Sequence, residues 1–105
     1  MRIFFAASEC VPFAKTGGLA DVVGALAPEL AGLGHDVTVF LPLYASVRRQ
    51  IGSPLHFTVR DLRIPFQHRE RFASLVDGGR RGGAQVYFVD CPELFERSGL
   101  YGEQG

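Results

Sequence analysis

Nowhere does this chain approach the roughly 18 consecutive apolar residues that suggest a membrane-spanning helix. Its 105 residues also carry no net charge, with 11 lysines and arginines against 11 aspartates and glutamates. The first absence sets aside a helical membrane span. The second removes the global field that would gather nucleic acid or an anionic membrane, so any anion recognition must be local. Cysteine is scarce as well, with only Cys10 and Cys91. They follow apolar runs, lack the CxxC type of metal-ligand spacing and are too few for a disulfide scaffold, which leaves reduced thiols in a cytoplasm as the reading and no metal site. Internal repeats are lacking too. What remains, with 47% hydrophobic residues, is the composition of a soluble globular protein, one small domain or part of a larger one.

Lysine is rarer still. Lys15 is the only one, every other basic residue apart from the histidines being arginine, and it opens the segment KTGGLAD at residues 15–21. Genome composition alone could produce such a bias, but the position is specific. Residues 2–7 form an apolar, aromatic run that reads as a buried strand. Its interruption by Ser8 and Glu9 and the single arginine before it separate it from a signal peptide. The run after the glycines has the period of an amphipathic helix. A strand, a glycine loop and a helix start make an anion site, because the first backbone N–H groups of a helix have no partner inside it and the macrodipole adds positive potential there. Gly17 and Gly18 lack a Cβ, so a ligand can approach the backbone closely, and Lys15 adds a mobile full charge. The alternative is a tight turn with a solvated lysine. The pattern is neither a Walker loop, which places lysine after the last glycine, nor GxGxxG.

Leu19, Val22, Val23, Leu26, Leu30 and Leu33 recur at spacings of three and four and predict one apolar stripe on a helix over residues 18–33, to be buried against a sheet. Pro28 is expected to bend it. Asp21 falls in the first turn, where it either complements the dipole or contacts a ligand. Gly34 reads as the helix C-cap and residues 36–41 as a second strand, completing a βαβ unit that is right-handed by default. Residues 42–53 read as a loop with room for a short helix carrying Val47, Arg48 and Arg49, both arginines solvated. Residues 55–59, 62–66 and 71–76 are short strand-like runs, and residues 77–83 a glycine and arginine turn. Together they look like antiparallel hairpin material inserted into a parallel fold. Residues 84–90 return to the parallel sheet, residues 91–97 form a short helix, and the polar stretch at 98–105 ends without a closing element. Three parallel strands and one long helix cover at most one face of a sheet. The chain looks cut, and these 105 residues alone are expected to be marginally stable or associating.

KTGGLAD after MRIFFAASECVPFA, followed by DVVGALAPELAGLGHDVTVFLPLY, resembles the start of bacterial glycogen synthases and plant starch synthases, and VYFVDCPELFERSGLYG resembles a later signature of the same family. The resemblance covers essentially the whole chain, with residues 52–83 its least distinctive part. It implies a retaining glucosyltransferase that moves glucose from ADP-glucose to the 4-hydroxyl at the non-reducing end of an α-1,4-glucan such as glycogen, without a metal or other cofactor. The implied fold is α/β of the GT-B type, two Rossmann-like domains facing a deep cleft. The chain is similar to the beginning of the N-terminal domain, so the family's cleft histidine and its C-terminal domain have no counterpart here, and no catalytic residue is assigned within these 105.

By the same resemblance Lys15 matches a lysine at the donor's phosphates. Gly17 and Gly18 match the glycine pair whose amides face the diphosphate, and Asp21 a cleft position able to accept a sugar hydroxyl. Tyr101 matches a tyrosine near the adenine, and Glu9 a loop carboxylate near the acceptor sugar. No aspartate and glutamate pair suggests the double displacement of a retaining glycosidase. Two other readings stay open: a non-catalytic half-Rossmann module that binds phosphate or a protein, and a related GT-B transferase using a different sugar nucleotide.

Overall fold

The computed structural model describes residues 1–8, 10, 18–66 and 69–91. Glu9, Lys15, Gly17, Tyr101 and the helix expected over residues 91–97 therefore lie outside the described residues. Within them the order is β1 (Arg2–Ala6), α1 (Gly18–Gly32), β2 (Asp36–Pro42), α2 (Ala45–Ile51), β3 (Phe57–Phe66), β4 (Arg69–Arg81) and β5 (Ala84–Asp90).

The strands form one mixed sheet in the order β1-β2-β5-β4-β3. The apolar runs expected to lie parallel do so, Phe5 opposite Val39 and Val39 opposite Val86. β4 then returns antiparallel beside β5, and β3 pairs antiparallel with β4 at the edge. The hairpin residues thus extend the same sheet. The two runs at 55–59 and 62–66 join into one strand through a register shift between Val59 and Leu62. Asp61 sits in that shift with φ 55°, a conformation an aspartate tolerates better than a branched residue. Its amide donates to the hydroxyl of Ser74 at 3.0 Å.

The turn expected over residues 77–83 is smaller than that. β4 runs on to Arg81, and only Gly82 and Gly83 form the turn. Their φ values of 57° and 90° suit the two-residue hairpin loop whose twist matches that of the strands. The other two glycines serve a shift in register between Asp77 and Arg80. There Asp77 Oδ1 accepts hydrogen bonds from the Gly79 amide and from Gln85 Nε2, each at 2.8 Å. The Gly79 amide first, and then Gln85, hold the Asp77 carboxyl below the usual carboxylate range, because both bonds favour the charged form. One glycine-rich stretch therefore contains two separate devices, a bulge and a turn.

One face of the sheet carries the core. Val37, Val39 and Leu41 of β2, Val86 and Phe88 of β5 and Val76 of β4 cluster with Val23 and Ala27 of α1 and Val47 of α2. The predicted stripe of α1 needs correcting. Ala20, Val23 and Ala27 face inward and are buried, whereas Val22, Leu26 and Leu33 point away, Leu33 being 74% exposed. The reason is distance. The helix lies so close to the β4–β5 turn that a Cβ on Gly82 would come within 2.7 Å of Pro28 Cβ, and one on Gly83 within 3.3 Å of Ala31 Cβ. Close approach selects small side chains of α1 for the interface, while Leu30, on the predicted stripe, still packs against the core from its rim. α1 runs through Pro28 as one helix, with the proline ring used as a packing surface.

Alternation along the strands puts Phe4, Phe40 and Tyr87 on the opposite face. Phe4 and Phe40 meet edge to face at 6.0 Å between centroids, and Phe40 stacks on Tyr87 at 5.8 Å. Phe4 is 63% exposed, so within the described residues this aromatic row is only partly covered. Parallel strands are ordinarily covered on both faces.

Candidate functional site

In open α/β sheets, ligands bind outside the carboxyl ends of the parallel strands. Here β1, β2 and β5 end at one edge, and polar bonds tie those ends to each other. The Ala7 amide donates to the Phe40 carbonyl at 3.0 Å, and the Leu43 amide to the Val89 carbonyl at 2.8 Å. The Tyr44 hydroxyl donates to the Ser8 carbonyl at 2.9 Å. Arg48 Nη2 donates to Asp90 Oδ1 at 2.8 Å, with the Asp90 side chain only 12% exposed. Arg48, expected in solvent, is therefore a half-buried brace between α2 and the end of β5, while Arg49 is exposed as expected.

α1 follows β1 and leads into β2, which is parallel to it, so α1 starts at this same edge. Gly18 is its first residue and is exposed. A Cβ built on it meets nothing within 4 Å, and its φ lies outside the left-handed region. Neither backbone conformation nor packing against described residues demands glycine there. What the missing Cβ leaves is open space beside the backbone at a helix start, which suits close approach by an anion. Asp21 is exposed in the first turn of α1, one turn from Gly18. Of the residues singled out in the sequence, the described structure thus brings Gly18 and Asp21 together.

Tyr44, Arg48 and Asp90 were not recognised as part of this edge from the sequence. Asp90 carried the one available signal, a carboxylate closing a dense apolar strand. Neither cysteine joins the edge chemistry. Both are buried and neither is in a disulfide, and burial pushes the Cys10 thiol up, which disfavours the reactive thiolate. The cavity beside Cys10, lined also by Val23, Ala27, Val39 and Val86, has about 20 Å³, room for about one water. Among the described residues no group of three or more histidine, cysteine, aspartate or glutamate side chains could hold a metal ion, and no helix is long and apolar enough to cross a membrane.

Residues 2–105 match the glycosyltransferase family described as the starch synthase catalytic domain. The chain belongs to this family. It is 54% identical over 102 residues to a glycogen synthase of Koribacter versatilis, covering 97% of this chain and 20% of that protein. It is 46% identical over 108 residues to a glycogen synthase of Syntrophotalea carbinolica, covering 97% of this chain and 21% of that protein. Among solved structures it is similar to the catalytic domain of starch synthase IV from Arabidopsis thaliana bound to ADP and acarbose. There the TM-score is 0.80 and the identity 31%, over 98% of this chain and 21% of that one. The chain thus spans about one fifth of the length of these relatives. The mixed sheet described above is the architecture that this family member shares with the starch synthase.

Proposed function

We propose that this chain is the beginning of the N-terminal Rossmann-like domain of a two-domain GT-B glycogen synthase, with β3 and β4 as an inserted hairpin. In that enzyme it takes part in retaining transfer of glucose from ADP-glucose to the non-reducing end of an α-1,4-glucan. The observation that carries the reading is the exposed start of α1 at the carboxyl edge of β1, β2 and β5, with a glycine that packing against the described residues does not require. Membership of the family and likeness to a synthase bound to ADP and acarbose support it. In this reading the work is done in the cytoplasm, where thiols such as Cys10 and Cys91 stay reduced.

Lys15 neutralises the donor's diphosphate. The amides of Gly17 and Gly18 stabilise the charge that develops on departing ADP, a role for preorganised donors that is worth most in the transition state. Asp21 accepts a hydroxyl of the transferred sugar, Tyr101 lies against the adenine, and Glu9 contacts the acceptor. The acceptor hydroxyl attacks on the face from which ADP leaves. A cleft needs two walls, and the second wall belongs to the part of the synthase beyond this chain, so the 105 residues by themselves transfer no glucose.

The test is a chimera in which this chain replaces the matching segment of the Koribacter versatilis glycogen synthase. It is expected to move glucose from ADP-glucose onto glycogen and to prefer that donor to UDP-glucose. A chimera that melts like its parent yet transfers nothing counts against the reading. Within it, Gly18→Ala separates fold from function. Stability should stay level or rise by up to about 1 kcal/mol, since alanine suits a helix better than glycine. Donor use should fall by about tenfold, since a methyl group then stands between the amides and the diphosphate. Equal kinetics for Gly18→Ala and its parent would leave the glycine without a donor role.

A further inference from the structure

We infer that β1 is an inner strand of the intact synthase: a further strand, from the part of the protein beyond Gly105, lies parallel to it on its outer side, and the crossover leading into that strand covers the row of Phe4, Phe40 and Tyr87. This rests on the reading above of the chain as the beginning of a longer synthase. β1 and β3 are the two outermost strands of the sheet, and only β3 is built for that place. It carries Arg60, Asp61, Arg63 and Pro65, and its register with β4 shifts twice. Charge, proline and irregular pairing are the means by which edge strands avoid joining another strand. β1 has none of them beyond its first residue. Its sequence is RIFFA, it pairs with β2 without a shift from Arg2 to Ala6, and Arg2 turns its guanidinium to Asp36 of β2 at 3.8 Å.

The backbone of β1 agrees. The Met1 carbonyl accepts from the Asp36 amide at 2.8 Å and the Ala7 amide donates to the Phe40 carbonyl at 3.0 Å, so the odd-numbered residues face β2 and the amides and carbonyls of Arg2, Phe4 and Ala6 face outward. Among the described residues β1 has no strand on that side. Residues 91–105 are too few to supply a parallel one, which needs a crossover of a dozen or more residues before it begins, and residues 98–105 are polar and glycine-rich. This chain covers 20% and 21% of its two glycogen synthase relatives, so most of a synthase remains to provide the strand. Handedness then fixes the face. The step from β1 to β2 runs through α1 on the core side of the sheet. A right-handed crossover that steps the other way, past β1, must run over the opposite side. That is where Phe4 is exposed in its row with Phe40 and Tyr87. An unprotected strand and an uncovered aromatic row thus call for one occupant. With strands on both sides, the end of β1 becomes the point where the strand order turns back, at which open α/β sheets bind ligands.

The experiment is amide hydrogen exchange, read residue by residue, on the chimeric synthase without substitutions. The amides of Phe4 and Ala6 are expected to exchange within about tenfold of those of Ile3 and Phe5, which bond to β2 in either case. On an edge strand they would exchange on the order of 10³-fold faster than their neighbours, the spread between open and core amides. Such alternation in a chimera that transfers glucose overturns the inference while leaving the donor-site reading intact. Protection at Phe4 and Ala6 that is lost on dilution would place a second copy there and overturns it as well. The aromatic row is tested by Phe4→Ala in the same chimera, which should lower the melting temperature by about 5 °C or more, since a covered phenylalanine leaves a cavity. An unshifted melting temperature removes the crossover from that face. A chimera that folds and protects β1 evenly but transfers nothing overturns the donor-site reading and leaves the added strand in place.

Discussion

Lys15→Ala in the chimeric synthase is expected to lower kcat/KM for ADP-glucose by about 10²- to 10³-fold, the range seen when one preorganised donor to a developing negative charge is removed. On the proposed role the fall should appear in kcat as well as in KM, because a diphosphate that gains charge as the glycosidic bond to it breaks would make the lysine worth more in the transition state than in the ground state. Lys15→Arg should recover part of the loss, since it restores the charge but not the compact ammonium that a phosphate oxygen meets as a point charge. The melting temperature should not follow the kinetics, because a charged lysine is seldom part of an apolar core. Steady-state kinetics on the three enzymes decide the matter: unchanged donor kinetics in Lys15→Ala would remove this residue from the site. In the sequence, Lys15 is the only basic residue between β1 and α1.

Gly78→Ala is expected to destabilise the protein by about 1–3 kcal/mol, the cost of forcing extra volume into a filled core. A Cβ on Gly78 would lie 2.6 Å from Phe88 Cε2, 3.1 Å from Phe88 Cζ and 3.1 Å from Val86 Cγ1. Phe88 is fully buried in the middle of the cluster, so its ring has nowhere to retreat. The φ of Gly78 is not in the left-handed region, which makes the effect one of space alone. Phe88→Leu should cost stability in the parent and less in the Gly78→Ala background, where the smaller side chain relieves the clash, a coupling that a double-mutant cycle reads directly. Chemical unfolding of the four proteins provides the numbers. A Gly78→Ala change within about 0.5 kcal/mol, the range of ordinary surface substitutions, would mean that β4 does not sit on Phe88 as described.

Much of the architecture was legible because its signals are local. Residues 2–7, 36–41 and 84–90 are dense apolar runs of strand length, and the helix begins at Gly18 as its period and glycines indicate. The kinship was legible for a different reason: KTGGLAD joins residue types that packing rarely requires together. The errors lay where two distant segments had to be weighed against each other. The helix is apolar over a wide arc, and period alone centred the buried stripe about one residue away from where it lies, with Val23 and Leu30 inward as expected and Val22, Leu26 and Leu33 exposed. The closeness of Gly82 and Gly83 to Pro28 and Ala31 set its place. The glycines at 78–83 read as one turn because φ and backbone contact are invisible in a list of residues. Arg48 read as solvated because Asp90 stands 42 positions away.

By itself, then, the sequence determined most of the elements, their α/β order and the kinship, since each depends on neighbours within a turn or a strand, and it supplied the residues proposed for an anion at the head of α1. Tertiary structure alone decided which residues of α1 are buried, how the glycine cluster divides between bulge and turn, and that Tyr44, Arg48 and Asp90 brace the carboxyl ends of the parallel strands. Those outcomes depend on distances between segments far apart in the chain, and such distances are set only when the sheet has closed its register and the helix has come down on it.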